Sequence, residues 1–236
     1  MNLIILEEED FITENIVRLS GRRYNHMMEI HKVKKGQKLI IGKLNGKMGS
    51  GEVLDINDEE IDMKVNLNQN PPKPLSIKII MAMPRPKVFK RIIRDLTSMG
   101  IKEIYIIKTW KVEKSFWNSP VLSEKVLKDS IILGLEQGKD TIMPKIEIFK
   151  RFKPFIEDDI TGIIEGTKAL VADPFSEKRE IKDFENKPIT LAIGPEGGFI
   201  EYEINMFKKY GFEDLNLGDR ILRVETVLPY LIGKFS

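Results

Sequence analysis

The spacing of hydrophobic and polar positions changes near residue 70. Before that point short apolar runs predominate, and residues 59–67 (EEIDMKVNL) alternate strictly. The runs 37–42 (QKLIIG) and 50–56 (SGEVLDI) flank a turn-rich stretch with several glycines. Alternation with a period of two, interrupted by glycine and asparagine, is typical of antiparallel strands. We therefore expect a small β-barrel over residues 1–70.

Strand and helix patterns alternate after the proline-rich segment 68–76 (NQNPPKPLS), which can continue neither a helix nor a central strand. The predicted strands are 75–83, 102–108, 168–172, 188–194 and 213–217. The predicted helices are 86–100, 119–137, 200–210 and 226–235. Because strands separated by helices form a mostly parallel sheet, the sequence predicts an α/β domain over residues 71–236.

The composition excludes several classes of site. Among 236 residues there are no cysteines and two histidines, so disulfides, thiol catalysis and the common zinc sites are excluded and no metal is expected. No apolar run approaches the length of a membrane span, and the first residues turn acidic where a signal peptide would be basic. We expect a cytoplasmic protein without a membrane partner.

Basic side chains are concentrated in two zones, although the net charge is +2. The stretch from Arg18 to Lys47 holds nine Lys/Arg and one acid, and residues 73–155 hold 18 basic and 8 acidic side chains. Two such zones favour a polyanion such as RNA as partner, while solvated faces are the alternative. The predicted phosphate contacts are Arg22, Arg23, Lys32, Lys34, Lys35, Arg85, Lys87, Lys90, Arg91 and Arg94.

A glycine-rich segment, 193–199 (IGPEGGF), stands where a predicted strand gives way to a helix. Ligands of parallel sheets bind at the carboxyl ends of strands, and glycines let backbone groups touch a ligand directly. The glycine spacing excludes a dinucleotide fingerprint, and no P-loop occurs in the chain. On the glycines alone, a ligand loop and an ordinary tight turn are equally acceptable.

A second segment, 217–226 (LGDRILRVET), also follows a predicted strand. Together with 191–199 (LAIGPEGGF), it resembles the signature motifs of the bacterial small-subunit ribosomal RNA uracil-N3 methyltransferase family, part of the SPOUT superfamily. Similarity at 134–137 (GLEQ) and 26–39 extends the resemblance over most of the chain. It implies a PUA-like barrel for RNA, a SPOUT-type α/β domain with a deep trefoil knot, bound S-adenosylmethionine, and a homodimer.

The resemblance also implies which residues form the site. Glycine-rich loops suit S-adenosylmethionine, because its adenine needs backbone hydrogen bonds and its sulfonium should not meet a strong positive charge. The residues implied for the cofactor are Ala172, Asp173, Ile193, Gly194, Pro195, Glu196, Gly197, Gly198, Leu217, Gly218, Ile221, Leu222 and Thr226.

The implied reaction is methyl transfer to N3 of a uridine in 16S ribosomal RNA or the small ribosomal subunit. We expect Arg223 to stabilise negative charge on the base, since a guanidinium donates two hydrogen bonds to one edge. Glu196 and Glu225 are the candidate bases. The structural alternatives are a salt bridge from Arg223 to a carboxylate such as Glu225, and helix N-terminal roles for the two glutamates.

Two other functions remain open from the sequence. One is a methyltransferase for a different RNA nucleotide, and the other is a non-catalytic RNA-binding or ribosome-assembly factor. The chain departs from the family pattern at Asp95, Ser98 and Lys139, on the RNA side of the implied site. Candidate stacking residues for a splayed base are Tyr24, Trp110 and Trp117, with packing roles as the alternative.

Overall fold

The computed structural model describes residues 2–177 and 187–236, and its contacts divide the chain into two units. The first unit combines the first 73 residues with Ile131–Met143, and the second combines Pro74–Ser130 with Pro144–Ser236. The sequence patterns do not indicate that residues 131–143 pack with the first unit. Within the described ranges, no helix has both the length and the apolar character needed to cross a membrane.

The first unit contains a six-stranded sheet. Its elements are β1 (Ile4–Leu6), β2 (Phe11–Thr13), β3 (Ile16–Ser20), α1 (Gly21–Glu29), β4 (Lys38–Lys43), β5 (Met48–Ile56) and β6 (Glu60–Gln69). The strand order is β1-β4-β5-β6-β3-β2, with all neighbours antiparallel except β1 and β4. The predicted strands at 37–42, 50–56 and 59–67 are present as β4, β5 and β6, whereas β1, β2, β3 and α1 were not predicted.

The alternation in β6 reflects a one-sided core. Ile61, Met63 and Val65 are buried against apolar residues of β1, β3, β4 and α1, while Lys64 between them is exposed. Burying every second side chain of a strand places the polar residues on the solvent face. The period of two in the sequence is therefore the signature of this core.

The second unit contains a six-stranded sheet in which every pair is parallel. Its strands are β7 (Ile77–Ala82), β8 (Glu103–Ile107), β9 (Lys145–Phe149), β10 (Lys168–Ala172), β11 (Ile189–Ile193) and β12 (Glu213–Leu215). The order is β12-β10-β11-β7-β8-β9. The predicted α/β class with a mostly parallel sheet is confirmed.

The helices of the chain after residue 74 follow the predicted order with additions. They are α2 (Pro86–Ser98), α3 (Glu124–Gly138), α4 (Phe152–Pro154), a π-helical turn (Phe155–Asp159), α5 (Ile160–Ile164), α6 (Glu201–Lys209) and α7 (Val224–Phe235). The helix predicted from residue 119 begins only at Glu124, because Pro120–Leu122 forms a separate 3₁₀ turn that Ser119 caps. Strand β9 and the helical stretch 152–164 were not predicted.

Candidate active site

A cavity of about 350 Å³ lies at the carboxyl ends of β10, β11 and β12 in the second unit. Its walls come from residues 172–175, from the glycine loop (193–199) and from the arginine loop (216–223), which follow these three strands. Parallel strands bring their carboxyl ends to one edge of the sheet, which explains why three distant segments meet there. Small-molecule sites have volumes of about 300–1,000 Å³. The cavity falls within that range.

The glycine loop needs its glycines for its own closure. A β-carbon on Gly194 would lie 2.8 Å from the backbone nitrogen of Phe199 and 3.1 Å from the carbonyl carbon of Gly198. Gly198 has a φ of +69° and donates its N–H to the oxygen of Pro195 at 2.7 Å. Close approach and left-handed backbone are the two conditions that favour glycine over other residues. The three glycines of the loop therefore present only main chain to the cavity that they line.

Glu196 connects the glycine loop to helix α2. Its Oε1 accepts a hydrogen bond from the backbone N–H of Arg85, the residue that caps α2, at 3.1 Å. The Arg85 Nε lies 4.0 Å from the same oxygen. A carboxylate at a helix N-terminus satisfies an unpaired N–H and interacts favourably with the helix dipole. The geometry gives Glu196 the helix N-terminal contact that the sequence analysis held as an alternative.

A third segment, the indole loop (109–112) after β8, is tied to the glycine loop. Glu203 of α6 is 2% exposed, and its carboxylate accepts from the backbone N–H of Trp110 at 2.7 Å and of Ile200 at 2.9 Å. Lys111 Nζ donates to the carbonyl oxygen of Gly197 at 2.7 Å. The sequence analysis missed Glu203 and Lys111. Glu203 is the third residue of α6 and bonds back to the N–H of the capping residue Ile200, but Ile200 is not a usual capping residue, so the sequence signal for this contact is incomplete.

Asn216 joins the arginine loop to the segment after β10. Its amide nitrogen donates to the carbonyl oxygens of Pro174 at 3.0 Å and Ser176 at 2.7 Å, and its oxygen accepts from the N–H of Gly218 at 2.8 Å. The side-chain amide of Asn216 is buried and makes three hydrogen bonds, which hold both segments in place. Asn216 was also missed by the sequence analysis, because its partners are distant in the chain.

Arg223 and Glu225 have different surroundings. Arg223 is exposed, caps α7 and lines the cavity, and no ion pair joins it to another residue of the described ranges. Glu225 lies in the first turn of α7, and its Oε1 accepts from Arg91 at 3.3 Å. The ion pair of Glu225 is thus formed with α2 and leaves the guanidinium of Arg223 available at the cavity.

The cavity brings together all the residues predicted for the cofactor except Thr226. The N–H of Thr226 donates to the oxygen of Arg223 at 2.9 Å at the start of α7. Glu196 and Arg223 of the candidate catalytic set also line the cavity, and Glu225 does not. Pro174 and Arg220, within the predicted cofactor segments 170–174 and 217–222, also line the cavity, and the lining residues outside the prediction are Phe175, Phe199, Ile204, Leu215, Val224 and Val227. Most of these are apolar and enclose the predicted set.

One face of α2 is cationic. Lys87, Lys90, Arg91 and Arg94 follow one another at spacings of three, one and three residues, and all are exposed. Residues three and four apart share a helix face. The opposite face, with Phe89 and its apolar neighbours, is buried in the second unit. Because α2 also meets Glu196 and Glu225, the cationic face lies on the helix that borders the cavity loops.

The predicted phosphate contacts of the first unit divide into two groups. Arg22 forms a bidentate ion pair with the buried Glu136, at 3.0 Å for each contact, and Arg23 bonds to Asp10 at 2.5 and 2.6 Å. Both guanidiniums are therefore engaged within the unit. The remaining members, Lys32, Lys34 and Lys35, are exposed, and Lys35 pairs with Asp55 at 3.3 Å. Exposed lysines are available to phosphates.

Asp214 on β12 precedes the cavity-lining Leu215, and the pKa of its carboxyl group is shifted. Burial acts to raise the pKa of Asp214, but hydrogen bonds from Lys208 and Ser176 outweigh it and hold the pKa below its usual value. Lys208 Nζ lies 3.1 Å from the carboxylate and joins α6 to β12. Within the described ranges, no cluster of three or more His, Cys, Asp or Glu side chains is arranged to hold a metal ion.

A parallel α/β sheet with a cavity at its carboxyl edge, lined in part by a glycine-rich loop and bordered by a cationic helix, is the arrangement expected of an α/β enzyme that binds a small cofactor next to a nucleic acid. Comparison with known proteins specifies the class. A family model described as RNA methyltransferase domain matches residues 71–236, and the chain belongs to this family.

Individual relatives agree with this membership. The chain is 29% identical to ribosomal RNA small subunit methyltransferase E 1 of Borreliella burgdorferi over 96% of this chain and 93% of that protein. It is 27% identical to the methyltransferase E of Treponema pallidum, over 96% and 87% respectively. A crystal structure of the Neisseria gonorrhoeae methyltransferase E bound to S-adenosylmethionine superposes with a TM-score of 0.76 at 16% identity, covering 99% of this chain and 96% of that one. The family resemblance predicted from the two motifs is confirmed.

Proposed function

We propose that this protein transfers a methyl group from S-adenosylmethionine to N3 of a uridine in small-subunit (16S) ribosomal RNA. The observation that carries the proposal is the meeting of the glycine loop and the arginine loop in one cavity at the carboxyl edge of the sheet. The names of the relatives support the methyl donor and the class of RNA. The two motifs support the uridine.

The residues of the cavity fit the proposed cofactor. The glycine loop offers main-chain N–H and C=O groups to an adenine, and apolar side chains such as Leu217 and Leu222 line the remaining wall. Asp173 and Glu196 offset the charges of Arg220 and Arg223, so the lining has no excess of positive charge that would repel a sulfonium. When bound, the cofactor supplies an electrophilic methyl group.

The chemical task of the protein is to handle the charge and the proton of the uracil ring. The N3–H is a weak acid, and its loss places negative charge on the two flanking carbonyl oxygens. The guanidinium of Arg223, at the cavity and without an ion pair in the described ranges, donates hydrogen bonds to one of these oxygens. Holding the base and the methyl donor close together in the reactive orientation lowers the activation barrier for methyl transfer further.

Of the two candidate bases, the geometry favours Glu196. Glu196 lines the cavity, and Arg85 occupies only its Oε1 among the described contacts, which leaves Oε2 to accept the proton. Glu225 is held by Arg91 and does not line the cavity. We therefore assign proton removal to Glu196 and the anchoring of α7 on α2 to Glu225.

RNA is held by two sets of exposed cations, each on its own unit. In the second unit these are Lys87, Lys90 and Arg94 on α2, and in the first unit they are Lys32 and Lys34 with their neighbour Lys35. Phosphate contacts of this kind position an RNA without reading its sequence. Affinity for RNA is therefore expected to fall steeply with added salt, while affinity for the cofactor changes little.

The finer fold assignments belong to the same proposal. We propose that the first sheet is a PUA-like barrel spanning residues 1–70 and that residues 71–236 form a SPOUT domain with a trefoil knot. Support for the knot comes from the return of the chain after the edge strand β12 to α7, which packs on the central strand β11 and on α2. Exposed apolar side chains at Ile221 and Tyr230 support a homodimer. A ribosomal RNA substrate supports a cytoplasmic location for the protein.

Two measurements test the proposal. Calorimetric titration with S-adenosylmethionine is expected to show binding, and its absence would favour the RNA-binding factor over the enzyme. Transfer of a labelled methyl group is then measured on small ribosomal subunits that lack the modification, with modified subunits as the matched control. Label on N3 of one uridine in the unmodified subunits alone is the expected result. Label on another nucleotide would overturn the acceptor.

A further inference from the structure

We infer that Trp110 is the stacking platform for the acceptor base, so that the RNA must present its target nucleotide unpaired. The inference rests on the proposed function and specifies its substrate. The indole is exposed, its backbone is anchored by a buried carboxylate, and its loop is attached to the cavity wall.

The indole of Trp110 is exposed from a loop in which Thr109 and Val112 are buried. Trp110 is 80% exposed, while Thr109 and Val112 beside it are 3% and 6% exposed. The loop is closed by a hydrogen bond from the N–H of Val112 to the oxygen of Thr109 at 3.3 Å. Exposing a large aromatic side chain forgoes the stabilisation that its burial would give. A partner that covers the indole recovers it.

The backbone of Trp110 is fixed by a buried carboxylate. Glu203 accepts from the Trp110 N–H at 2.7 Å and from the Ile200 N–H at 2.9 Å, and it is almost fully buried. Hydrogen bonds to an ionised group are stronger than those between neutral groups. Anchoring the main chain lowers the entropy lost when the side chain binds a ligand. Glu203 is thus a positioning residue for Trp110.

The neighbouring residue attaches the loop to the cavity wall. Lys111 Nζ donates to the oxygen of Gly197 at 2.7 Å, and Lys111 Cδ lies 3.0 Å from the place that a Gly197 β-carbon would occupy. Gly197 itself lines the cavity. Trp110 is therefore adjacent in the chain to the residue that contacts the glycine loop directly.

Stacking imposes a condition on the RNA. Every base has a π-face that an indole can cover, but a base inside a helix is already stacked on both sides. A platform beside the methyl donor therefore selects a target uridine in a loop, a bulge or an opened helix. Base pairing also blocks N3, which is the atom to be methylated.

Fluorescence tests the contact without any turnover. The chain has two tryptophans, so Trp117→Phe leaves Trp110 as the one indole. A short single-stranded RNA containing the target uridine is titrated into this variant, and binding is followed in parallel by the anisotropy of a labelled copy. Quenching of Trp110 emission that tracks the anisotropy is expected. Unchanged emission at RNA concentrations that saturate the anisotropy would overturn the inference.

Kinetics test the consequence. Because base–aromatic stacking contributes about 1–3 kcal/mol, Trp110→Ala should raise the KM for a loop-presented uridine about 5- to 150-fold, with Trp110→Phe in between. The affinity for S-adenosylmethionine and the binding of a fully paired control RNA should be unchanged. A wild-type KM in Trp110→Ala refutes the platform. An inactive wild-type protein would instead refute the proposed function, so the two failures are distinguishable.

Discussion

Replacing Gly194 by alanine tests how the cavity is built. The added β-carbon would lie 2.8 Å from Phe199 N, 3.1 Å from Gly198 C and 3.2 Å from Gly198 Cα. All three atoms belong to the backbone, so the clash cannot be relieved by the rotation of a side chain. Non-bonded heavy atoms have their optimal separation at about 3.5–4.0 Å. The turn must therefore open by about half an ångström or more.

The magnitude follows from the cost of overpacking, about 1–3 kcal/mol for an added methyl group in a close-packed place. Strain of that size lowers the midpoint of thermal unfolding by about 2–4 °C per kcal/mol in a chain of this length. Opening the turn also displaces the main-chain groups proposed to hold the cofactor. The same free energy, lost from binding, corresponds to an affinity lower by about 5- to 150-fold.

Thermal unfolding and calorimetric titration with S-adenosylmethionine measure the two effects. Gly162→Ala is the matched control, since no atom lies within 4 Å of its added β-carbon and the residue is inside α5. Alanine in a helix interior is favoured over glycine by about 0.5–1 kcal/mol, so this variant should be slightly more stable and bind normally. If Gly194→Ala unfolds and binds like the wild type, the close approach has no role in the site.

The remaining predictions concern three side chains. Arg223→Lys keeps the charge but loses the planar fork, so single-turnover methyl transfer should slow by about 10²- to 10³-fold at unchanged cofactor affinity; an unchanged rate would remove Arg223 from the chemistry. Glu203→Gln leaves one backbone N–H without its acceptor and should lower the free energy of unfolding in urea by about 1–3 kcal/mol. A wild-type value would mean that the hydrogen bonds from Trp110 and Ile200 to Glu203 contribute nothing to stability. Arg18 holds the pKa of Asp62 below its usual value through a bidentate hydrogen bond. The stabilisation is present above about pH 4, the unfolded pKa, and is lost as the pH falls through the lower folded pKa. Asp62→Asn should therefore unfold at a slightly lower urea concentration than the wild type at pH 7, with the gap closing toward pH 2, and a gap independent of pH would contradict the ion pair.

The sequence predicts elements well where burial imposes a clear period. Strands β7, β8, β10 and β11 are predominantly apolar and mostly buried, as a sheet covered on both faces requires. Strands β1 and β2 have three residues each, too few to show alternation, and β9 at the edge of its sheet is only half-buried. Helix α1 follows Ser20, whose side chain makes no capping hydrogen bond, and it begins at Gly21, a residue with low helix propensity.

In the candidate site, too, features set by nearby residues are predictable from the sequence, and contacts between distant residues are not. Glycine placement and motif order identify the two loops, because those features depend on local backbone conformation. Glu203 meets Trp110 across 93 positions of the chain, and Asn216 meets Pro174 across 42. Contacts at such separations leave no periodic trace in a single sequence. The supporting residues of the site are therefore read from the structure.

The glycines that line the cavity limit which substitutions the protein can accept there. Gly194, Gly197 and Gly198 present only main chain to the cavity, so a substitution at one of these positions acts by disturbing the backbone, whereas Glu196 of the same loop contributes a side chain. The indole loop and the cationic face of α2 consist of side chains, and each can be exchanged singly. Under the proposed function, donor recognition is thereby separated from acceptor recognition, so substitutions in the indole loop or on α2 change the RNA target without changing the methyl donor.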